Sequence, residues 1–293
     1  MTTPLSRAQK ILLTGANGQV GWELARTLAP LGEVHVLGRS QLDLLRPDGI
    51  RDVMARLRPD IVVNAAAYTA VDQAEAEPAL AFAVNAEAPG VLADEARRLG
   101  ALLVHYSTDY VFDGSKAEPY REDDVPNPQN VYGRSKLAGE AAIRGSGCRH
   151  LIFRISWIYG LRGGNFLLTM LRLARERTEL KVVMDQIGAP TWCRLVAETT
   201  AAALAREQPP EGLYHMAGAE TVSWAGFARE IFRLTGAAVA VRDIPSSEYP
   251  LSAPRPLNSR LCSGRLLADT GLALPSWRHG LALCLADRMA DVV

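Results

Sequence analysis

The chain has 293 residues and equal numbers of basic and acidic side chains, 32 of each, so its formal net charge is zero. This length accommodates one large domain or two, and the balanced charge gives no basic stripe of the kind that binds nucleic acid. The sequence has no run of 18 apolar residues that would predict a membrane span. Its N-terminus leads almost directly into a strand, which leaves no room for a signal peptide.

The four cysteines are far apart and form no CxxC pattern; they are Cys148, Cys193, Cys262 and Cys284. This spacing favours reduced thiols over disulfides or a zinc site. We therefore expect a cytoplasmic protein of the α/β class, without nucleic acid or membrane partners.

The first chemical motif is a glycine-rich turn between a strand and a helix. Residues 10–14 form a short apolar run typical of a strand covered on both faces. Residues 15–21 read GANGQVG, with glycines in a GxxGxxG spacing, and residues 22–29 are helical in character. Such a turn lets the backbone approach a dinucleotide pyrophosphate at a helix N-terminus. It predicts cofactor contacts from Gly15 and Asn17, although a purely structural turn is the alternative.

The second strand, residues 33–37, ends in Gly38 and Arg39. A ribose-binding acid is usual at this place and is missing here. Arg39 either meets the 2′-phosphate of NADPH or is an exposed loop arginine. Asp43 and Leu44 follow at a spacing suited to flanking adenine, and residues 47–57 predict a helix.

Two further buried strands are predicted, at residues 60–64 and 101–106. The first opens into small side chains, including Ala65 and Ala66, which leave space for a ligand at the carboxyl end of a parallel strand or serve tight packing. The second delivers Thr108, whose hydroxyl could hydrogen-bond a substrate oxygen. Between them, residues 78–99 predict a helix with Asn85 as a buried hydrogen-bonding residue.

Tyr132 and Lys136 stand four residues apart at the head of a helical run. Residues i and i+4 share one face of a helix, so the ammonium would lie close enough to lower the pKa of the phenol. A tyrosine of this kind can protonate an alkoxide or deprotonate an alcohol. Taken alone, the YxxxK pattern also fits a surface tyrosine beside a surface lysine.

Beyond a strand at residues 150–155 the alternation of strand and helix loosens, and Ser223 is a good N-cap for a helix at 224–234. In the loop 255–260, Arg255 and Arg260 either hold a diphosphate or keep the loop soluble. We predict a doubly wound parallel Rossmann sheet with a smaller, interleaved C-terminal α/β substrate domain. The first domain would comprise residues 1–158 and 181–217, and the second residues 159–180 and 218–293.

In this order the motifs resemble those of the extended short-chain dehydrogenase/reductases, and more narrowly the dTDP-4-dehydrorhamnose reductase family. The stretches that carry the narrower resemblance span the whole chain; they are residues 18–24, 58–67, 105–112, 130–133, 185–191 and 255–261. The resemblance implies hydride transfer from NAD(P)H to C4 of dTDP-4-dehydro-L-rhamnose, the last step in the synthesis of dTDP-L-rhamnose.

The resemblance also implies roles for individual residues. Tyr132 would protonate the C4 oxygen, Lys136 would hold the nicotinamide ribose, and Thr108 would position the keto oxygen. Family positions that contact the cofactor match Gly18, Gln19, Val20, Asp43, Leu44, Ala67, Tyr68 and Thr69. Positions that contact the sugar nucleotide match Thr108, Asp109 and Trp157, with Asn165, Arg255, Asn258 and Arg260 as further candidates.

Two departures from the family pattern matter. Some members bind Mg²⁺ at a dimer interface through an acid shortly after an Ala-Pro-Thr segment, where this chain has Arg194. Arginine cannot ligate a cation, so we expect no metal, and the chain is either a monomer or a homodimer. Arg39 where an acid often stands favours NADPH, with NADH as the alternative.

Two other functions are open to this fold. The 4,6-dehydratases need an Asp-Glu pair after the active-site threonine, whereas Thr108 is followed here by Asp109 and Tyr110; the 4-epimerases are related rivals. A binding subunit without chemistry would have no need to retain Thr108, Tyr132 and Lys136 together.

Overall fold

The computed structural model describes residues 8–290. The twelve strands within this range are β1 (Gln9–Thr14), β2 (Gly32–Leu37), β3 (Ile61–Asn64), β4 (Leu102–Thr108), β5 (His150–Ile155), β6 (Ile158–Tyr159), β7 (Glu179–Val183), β8 (Ile187–Gly188), β9 (Thr191–Trp192), β10 (Gly212–Met216), β11 (Val222–Ser223) and β12 (Ala240–Ile244). Six of them form a parallel sheet in the order β10-β5-β4-β3-β1-β2.

The eleven α-helices of the same range are α1 (Gln19–Thr27), α2 (Pro47–Leu57), α3 (Val71–Ala76), α4 (Pro78–Phe82), α5 (Ala88–Leu99), α6 (Val131–Ser146), α7 (Phe166–Leu173), α8 (Cys193–Leu204), α9 (Trp224–Thr235), α10 (Gly264–Thr270) and α11 (Trp277–Ala290). None of these helices is both long enough and apolar enough to cross a bilayer.

Alternate side chains of each central strand enter two different apolar cores, because successive residues of a strand point to opposite faces of the sheet. In β1, Ile11 and Leu13 pack with α1, α8 and α10, whereas Leu12 packs with α2, α5 and α6. Both faces are therefore covered by helices, which explains why these strands read as continuous apolar runs. The predicted doubly wound parallel sheet is confirmed.

The helix predicted at residues 78–99 consists of α4, a π-helical turn at Ala83–Glu87, and α5. The fully buried Asn85 lies in the π-helical turn. Its Oδ1 accepts the Tyr68 backbone N–H at 2.8 Å, and its Nδ2 donates to the Tyr68 carbonyl at 2.9 Å and to Ser135 Oγ at 3.0 Å. The predicted buried hydrogen-bonding role of Asn85 is confirmed, and the side chain ties the loop after β3 to α6.

The C-terminal part of the chain builds a second core beside the sheet, with side chains from α7, α9 and α11. Its small sheet pairs β7 in parallel with β12. The predicted domain boundary between residues 180 and 181 falls within β7. Residues 181–183 of this strand pair with β12, which belongs to the second region. The other predicted domain boundaries stay predictions. The ends of the two predicted domains, residues 1–7 and 291–293, lie outside the described residues, and so does most of the N-terminal segment considered for a signal peptide.

A buried ion pair fixes α6 against the sheet. Glu140 and Arg154 are 0% and 1% exposed, and the guanidinium donates two hydrogen bonds of 2.8 and 2.7 Å to the carboxylate. Ser107, at the end of β4, donates a third at 2.5 Å. Since a buried charge is tolerated only when it is paired and hydrogen-bonded, this triad holds α6 in one position against β4 and β5.

We expect Glu140→Gln to lower the free energy of unfolding by about 3–5 kcal/mol, because the substitution leaves Arg154 buried without its counter-charge. Urea denaturation measures the loss. The matched control is Glu211→Gln, which breaks the exposed Arg149–Glu211 pair and should cost about 0–1 kcal/mol. Equal losses in the two variants would contradict the structural role given to the buried pair.

Candidate active site

Two adjoining cavities lie at the carboxyl edge of the central sheet, where the ends of parallel strands meet. The first, of about 290 Å³, is bounded by Thr14, Gly15, Asn17, Gly38, Arg39, Asp43, Leu44, Ala66, Ala67 and Tyr68, among others. The second, of about 610 Å³, is bounded by Gly15, Gly18, Gln19, Val20, Ala65, Ala66, Ala67, Thr69, Thr108, Asp109, Tyr110, Tyr132, Lys136, Trp157 and Trp224, among others. Every predicted cofactor residue lines one cavity or both.

Two positions of the glycine turn have no room for a side chain. Gly15 has a φ of +75°, and a Cβ there would lie 2.5 Å from the Ala65 carbonyl carbon. A Cβ at Gly21 would lie 2.2 Å from the Gly15 carbonyl oxygen. The turn thus requires glycine for close packing, and it also opens α1 toward the cavity with Gly18 as an N-cap that has no side chain. A helix N-terminus of this kind favours an anion such as a pyrophosphate.

Arg39 lies at the rim of the first cavity with its side chain 79% exposed, and its Nε is 3.9 Å from Asp43 Oδ1. This pair is too long for a hydrogen bond, so the guanidinium retains donors for a ligand. Leu44 is buried under the same cavity. The arrangement fits an adenosine with a phosphate on its ribose.

Tyr132 and Lys136 lie one turn apart on α6 and both line the second cavity. The helix begins at Val131 because Asn130 caps it, with Oδ1 accepting the Gly133 N–H at 2.8 Å. The hydroxyl of Thr108 lies near the phenol of Tyr132 and favours its charged form. The three predicted catalytic side chains therefore meet in one cavity.

The pKa of Tyr132 differs from the expectation. Burial is the main reason that the pKa of Tyr132 is raised to about 12; the Thr108 hydroxyl opposes the shift, and the charge of Asp109 adds to it. The predicted lowering by Lys136 is therefore not found in the free protein. Lys136 Nζ lies 3.1 Å from His105 Nε2 of β4.

His105 is the member of this site that the sequence did not reveal. It is fully buried in β4, and burial and the Lys136 charge hold its pKa well below 6.5, so the imidazole is neutral. Its Nδ1 lies 3.2 Å from Asn64 Nδ2, and Asn64 Oδ1 accepts a hydrogen bond of 2.7 Å from Thr14. A polar chain thus runs from β1 through β3 and β4 to Lys136, whose own pKa burial lowers to about 8.

Asp109 is buried directly after Thr108. Its carboxylate accepts hydrogen bonds of 3.0 Å each from Thr108 Oγ1 and Ser156 Oγ. Burial raises its pKa to about 6 against the effect of these bonds. The carboxylate fixes the Thr108 side chain that faces Tyr132.

Trp157 and Trp224 form a stacked aromatic pair with parallel rings that lines the second cavity. Their ring centroids are 3.4 Å apart with an interplanar angle of 1°. Trp157 has a φ of +45° and donates its Nε1 hydrogen to Ser259 Oγ at 2.9 Å. The sequence predicted Trp224 only as the first residue of the helix that Ser223 caps, with no signal that it meets Trp157.

Four predicted substrate residues make local contacts instead of lining the cavity. Asn165 caps α7 and donates to Gln19 Oε1 at 2.9 Å. Arg255 forms a two-point ion pair with Asp72, with contacts of 3.0 and 2.5 Å.

Asn258 donates to the carbonyls of Lys116 and Glu118 at 2.6 and 2.9 Å. Arg260 donates to Asn258 Oδ1 at 2.8 Å and to the Ala117 carbonyl. The substrate roles of these four residues stay predictions.

Arg194 stands where the family resemblance led us to look for a metal-binding acid. Its side chain pairs with Glu23 of α1 and Asp287 of α11. Residues 8–290 contain no group of three or more His, Cys, Asp or Glu side chains arranged to hold a metal. A guanidinium between two carboxylates does not fit a bound Mg²⁺.

Comparison with known proteins agrees with this geometry. The family described as RmlD substrate binding domain matches residues 9–289. The chain is 52% identical to a dTDP-4-dehydrorhamnose reductase of Burkholderia thailandensis over 96% of this chain and 100% of that protein. It is 45% identical to one of Salmonella typhimurium over 94% and 97% of the two chains.

Solved structures of dTDP-4-dehydrorhamnose reductases are also similar to this chain. A dTDP-4-dehydrorhamnose reductase of Bacillus anthracis in complex with NADP superposes with a TM-score of 0.92 at 36% identity, over 96% of this chain and 99% of the other. A Thermus thermophilus UDP-glucose 4-epimerase in complex with NAD has a TM-score of 0.79 at 23% identity, over 97% and 100%, and shares the fold. The chain therefore belongs to the RmlD substrate binding domain family, together with the dTDP-4-dehydrorhamnose reductases.

Proposed function

We propose that this protein reduces the C4 ketone of dTDP-4-dehydro-L-rhamnose to dTDP-L-rhamnose with NADPH, the last step in making this activated sugar. The observation that carries the proposal is the meeting of Thr108, Tyr132 and Lys136 in one cavity that also contains the glycine turn. Support also comes from the relatives named dTDP-4-dehydrorhamnose reductase and from the NADP complex of one of them.

In this proposal the glycine turn and the N-terminus of α1 bind the pyrophosphate, and Arg39 binds the ribose 2′-phosphate. The bound dihydronicotinamide supplies the hydride. Thr108 positions the C4 oxygen, and its hydroxyl turns its single proton from Asp109 to that oxygen when the substrate binds. Tyr132 gives its phenolic proton to the same oxygen as the alcohol forms.

The pKa values favour this direction of proton transfer. A pKa of about 12 keeps the Tyr132 phenol protonated at neutral pH, as a proton donor must be. An alkoxide is more basic than a phenolate, so the transfer is downhill. Lys136, one turn away with a pKa of about 8, carries a positive charge for most of the time at neutral pH and holds the nicotinamide ribose.

Simple reduction is favoured over dehydration by the residue after Asp109. Tyr110 takes the place where a dehydratase would have glutamate, and its ring packs edge-on against Tyr132 with centroids 5.8 Å apart. Burial raises the pKa of Tyr110 well above its ordinary value, so this phenol stays protonated and cannot act as the base that glutamate provides. The reductase therefore has the more complete set of chemical groups.

We also propose that the enzyme works in the cytoplasm. Cys148, Cys193, Cys262 and Cys284 are all free thiols, and three of them are buried. Unpaired thiols are typical of a reducing compartment.

We expect Tyr132→Phe to lower kcat by roughly 10²- to 10⁴-fold, because the variant lacks the acid that protonates the alkoxide. Cofactor loss followed at the nicotinamide absorbance, with substrate supplied as the dTDP-4-keto-6-deoxy sugar and a 3,5-epimerase, gives kcat. The Kd for NADPH should be unchanged. Tyr214→Phe is the control, since that phenol bonds Asp269 away from the cavity; an unaltered kcat in Tyr132→Phe would refute the acid role.

We expect the wild type to have a higher kcat/KM with NADPH than with NADH, and Arg39→Ala to lower the NADPH value by roughly 10- to 100-fold, because a charge-assisted hydrogen bond to the 2′-phosphate is lost. The value for NADH should stay constant. The matched control is Arg46→Ala, which changes an exposed arginine that lines neither cavity. Equal kcat/KM values for the two cofactors in the wild type would remove the role given to Arg39.

A further inference from the structure

A row of aromatic rings leads from the second cavity into the core of the C-terminal region. Trp157 and Trp224 line the cavity and stack with their centroids 3.4 Å apart. Trp224 also contacts Phe166, at 4.6 Å between centroids, and Phe166 stacks on Phe227 at 5.6 Å. Because Phe227 is fully buried in the core built by α7, α9 and α11, the row ties the ring of Trp157 to a closely packed part of the protein.

The backbone at Trp157 adopts a conformation that tryptophan seldom has. Its φ of +45° lies in the left-handed region, which is strained for a bulky side chain and persists only where the surroundings fix it. The ring donates its Nε1 hydrogen to Ser259 Oγ at 2.9 Å. A Cβ at Gly188 would lie 2.4 Å from Cε2 of the same ring. Close contacts therefore hold the indole of Trp157 in one orientation.

Trp224 is fixed by contacts that do not involve Trp157. Ser223 Oγ accepts the Gly226 N–H at 3.1 Å, so α9 begins at Trp224. The strand that ends at Ser223, β11, pairs antiparallel with β8. The indole donates its Nε1 hydrogen to Gln186 Oε1 at 3.2 Å. The protein thus places the Trp224 ring by its own contacts, where it can support the ring of Trp157.

We propose that Trp224 is a positioning residue for the sugar nucleotide: its indole holds the Trp157 ring in the orientation that binds this ligand. The inference rests on the proposed function. Ser259, which accepts the hydrogen bond from Trp157, also favours the charged form of Asp109, so the stack lies beside the groups that would hold the ketone. Neither indole is a predicted contact of the cofactor.

We expect Trp224→Ala to raise the Kd for dTDP-L-rhamnose, the product, by roughly 3- to 10-fold, because an aromatic pair is lost. Isothermal titration calorimetry in the presence of NADP⁺ gives this Kd. The kcat and the Kd for NADPH should stay near the wild-type values, since the proton donor and the glycine turn are unchanged. Trp224→Phe keeps a ring in the stack and should recover most of the lost affinity.

A double-mutant cycle tests whether Trp224 acts through Trp157. Trp157→Ala should weaken binding at least as much as Trp224→Ala, and the double variant should bind like Trp157→Ala, because the ring to be positioned is absent. Tyr249→Ala is the matched control, since it removes an exposed ring that lines neither cavity. If Trp224→Ala does not fold, Trp224→Leu, which fills more of the space, replaces it throughout the cycle.

Three results would overturn the inference. One is a folded Trp224 variant with the wild-type Kd for dTDP-L-rhamnose. Another is a Trp224 substitution that weakens binding equally with and without Trp157, and the third is a loss confined to kcat. A wild type that binds dTDP-L-rhamnose but reduces no substrate would refute the proposed reaction alone. An active wild type with an unchanged Kd in the Trp224 variant would refute only this inference.

Discussion

The buried ion pair between Glu140 and Arg154 is the interaction on which the candidate active site depends. Glu140 lies one turn beyond Lys136 on α6, and Arg154 projects from β5. Because a helix turns 100° per residue, fixing Glu140 toward the sheet also fixes the direction of the residues one and two turns before it. Tyr132 and Lys136 face the cavity for this reason, and Ser107 ties the same pair to the strand that ends in Thr108.

The electrostatics of the cavity follow from burial more than from the tyrosine–lysine pair itself. In the free protein, burial raises the pKa of Tyr132 and lowers that of Lys136. Both shifts favour neutral side chains, as expected when charges are removed from water. A protonated phenol suits a reductase, and the neutral His105 behind Lys136 holds the amine without adding a competing charge.

The two regions of the chain are joined by polar contacts as well as by apolar packing. Arg255 in the late loop pairs with Asp72 at the start of α3, and Arg194 links α1 to α11. Trp157 reaches Ser259 in the same late loop. These contacts position the aromatic end of the second cavity relative to the glycine turn, so a cofactor and a sugar nucleotide can occupy one continuous space.

The sequence by itself determined the elements whose signals are local. The apolar runs of β1 and β5, the helix α2 after its proline and the Ser223 cap of α9 follow from periodicity, backbone restriction and a side-chain hydrogen bond within a few residues. The glycine turn and the Tyr132–Lys136 spacing are equally local. The same reasoning gave no warning of α3, α10 or α11, whose short or weakly patterned segments form against the rest of the protein.

Only the tertiary structure decided which distant residues meet. His105 reads in the sequence as one residue of a buried strand, and its contact with Lys136 exists because β4 packs under α6. The sequence shows that Arg255 is charged. Whether this residue contacts a diphosphate or Asp72 depends on where the long loop that contains it crosses α3. Composition and residue spacing determine the local conformation and the chemical groups that are available. The tertiary structure determines which groups are buried and which residues they contact, and burial and contacts set the pKa values and the shape of the site.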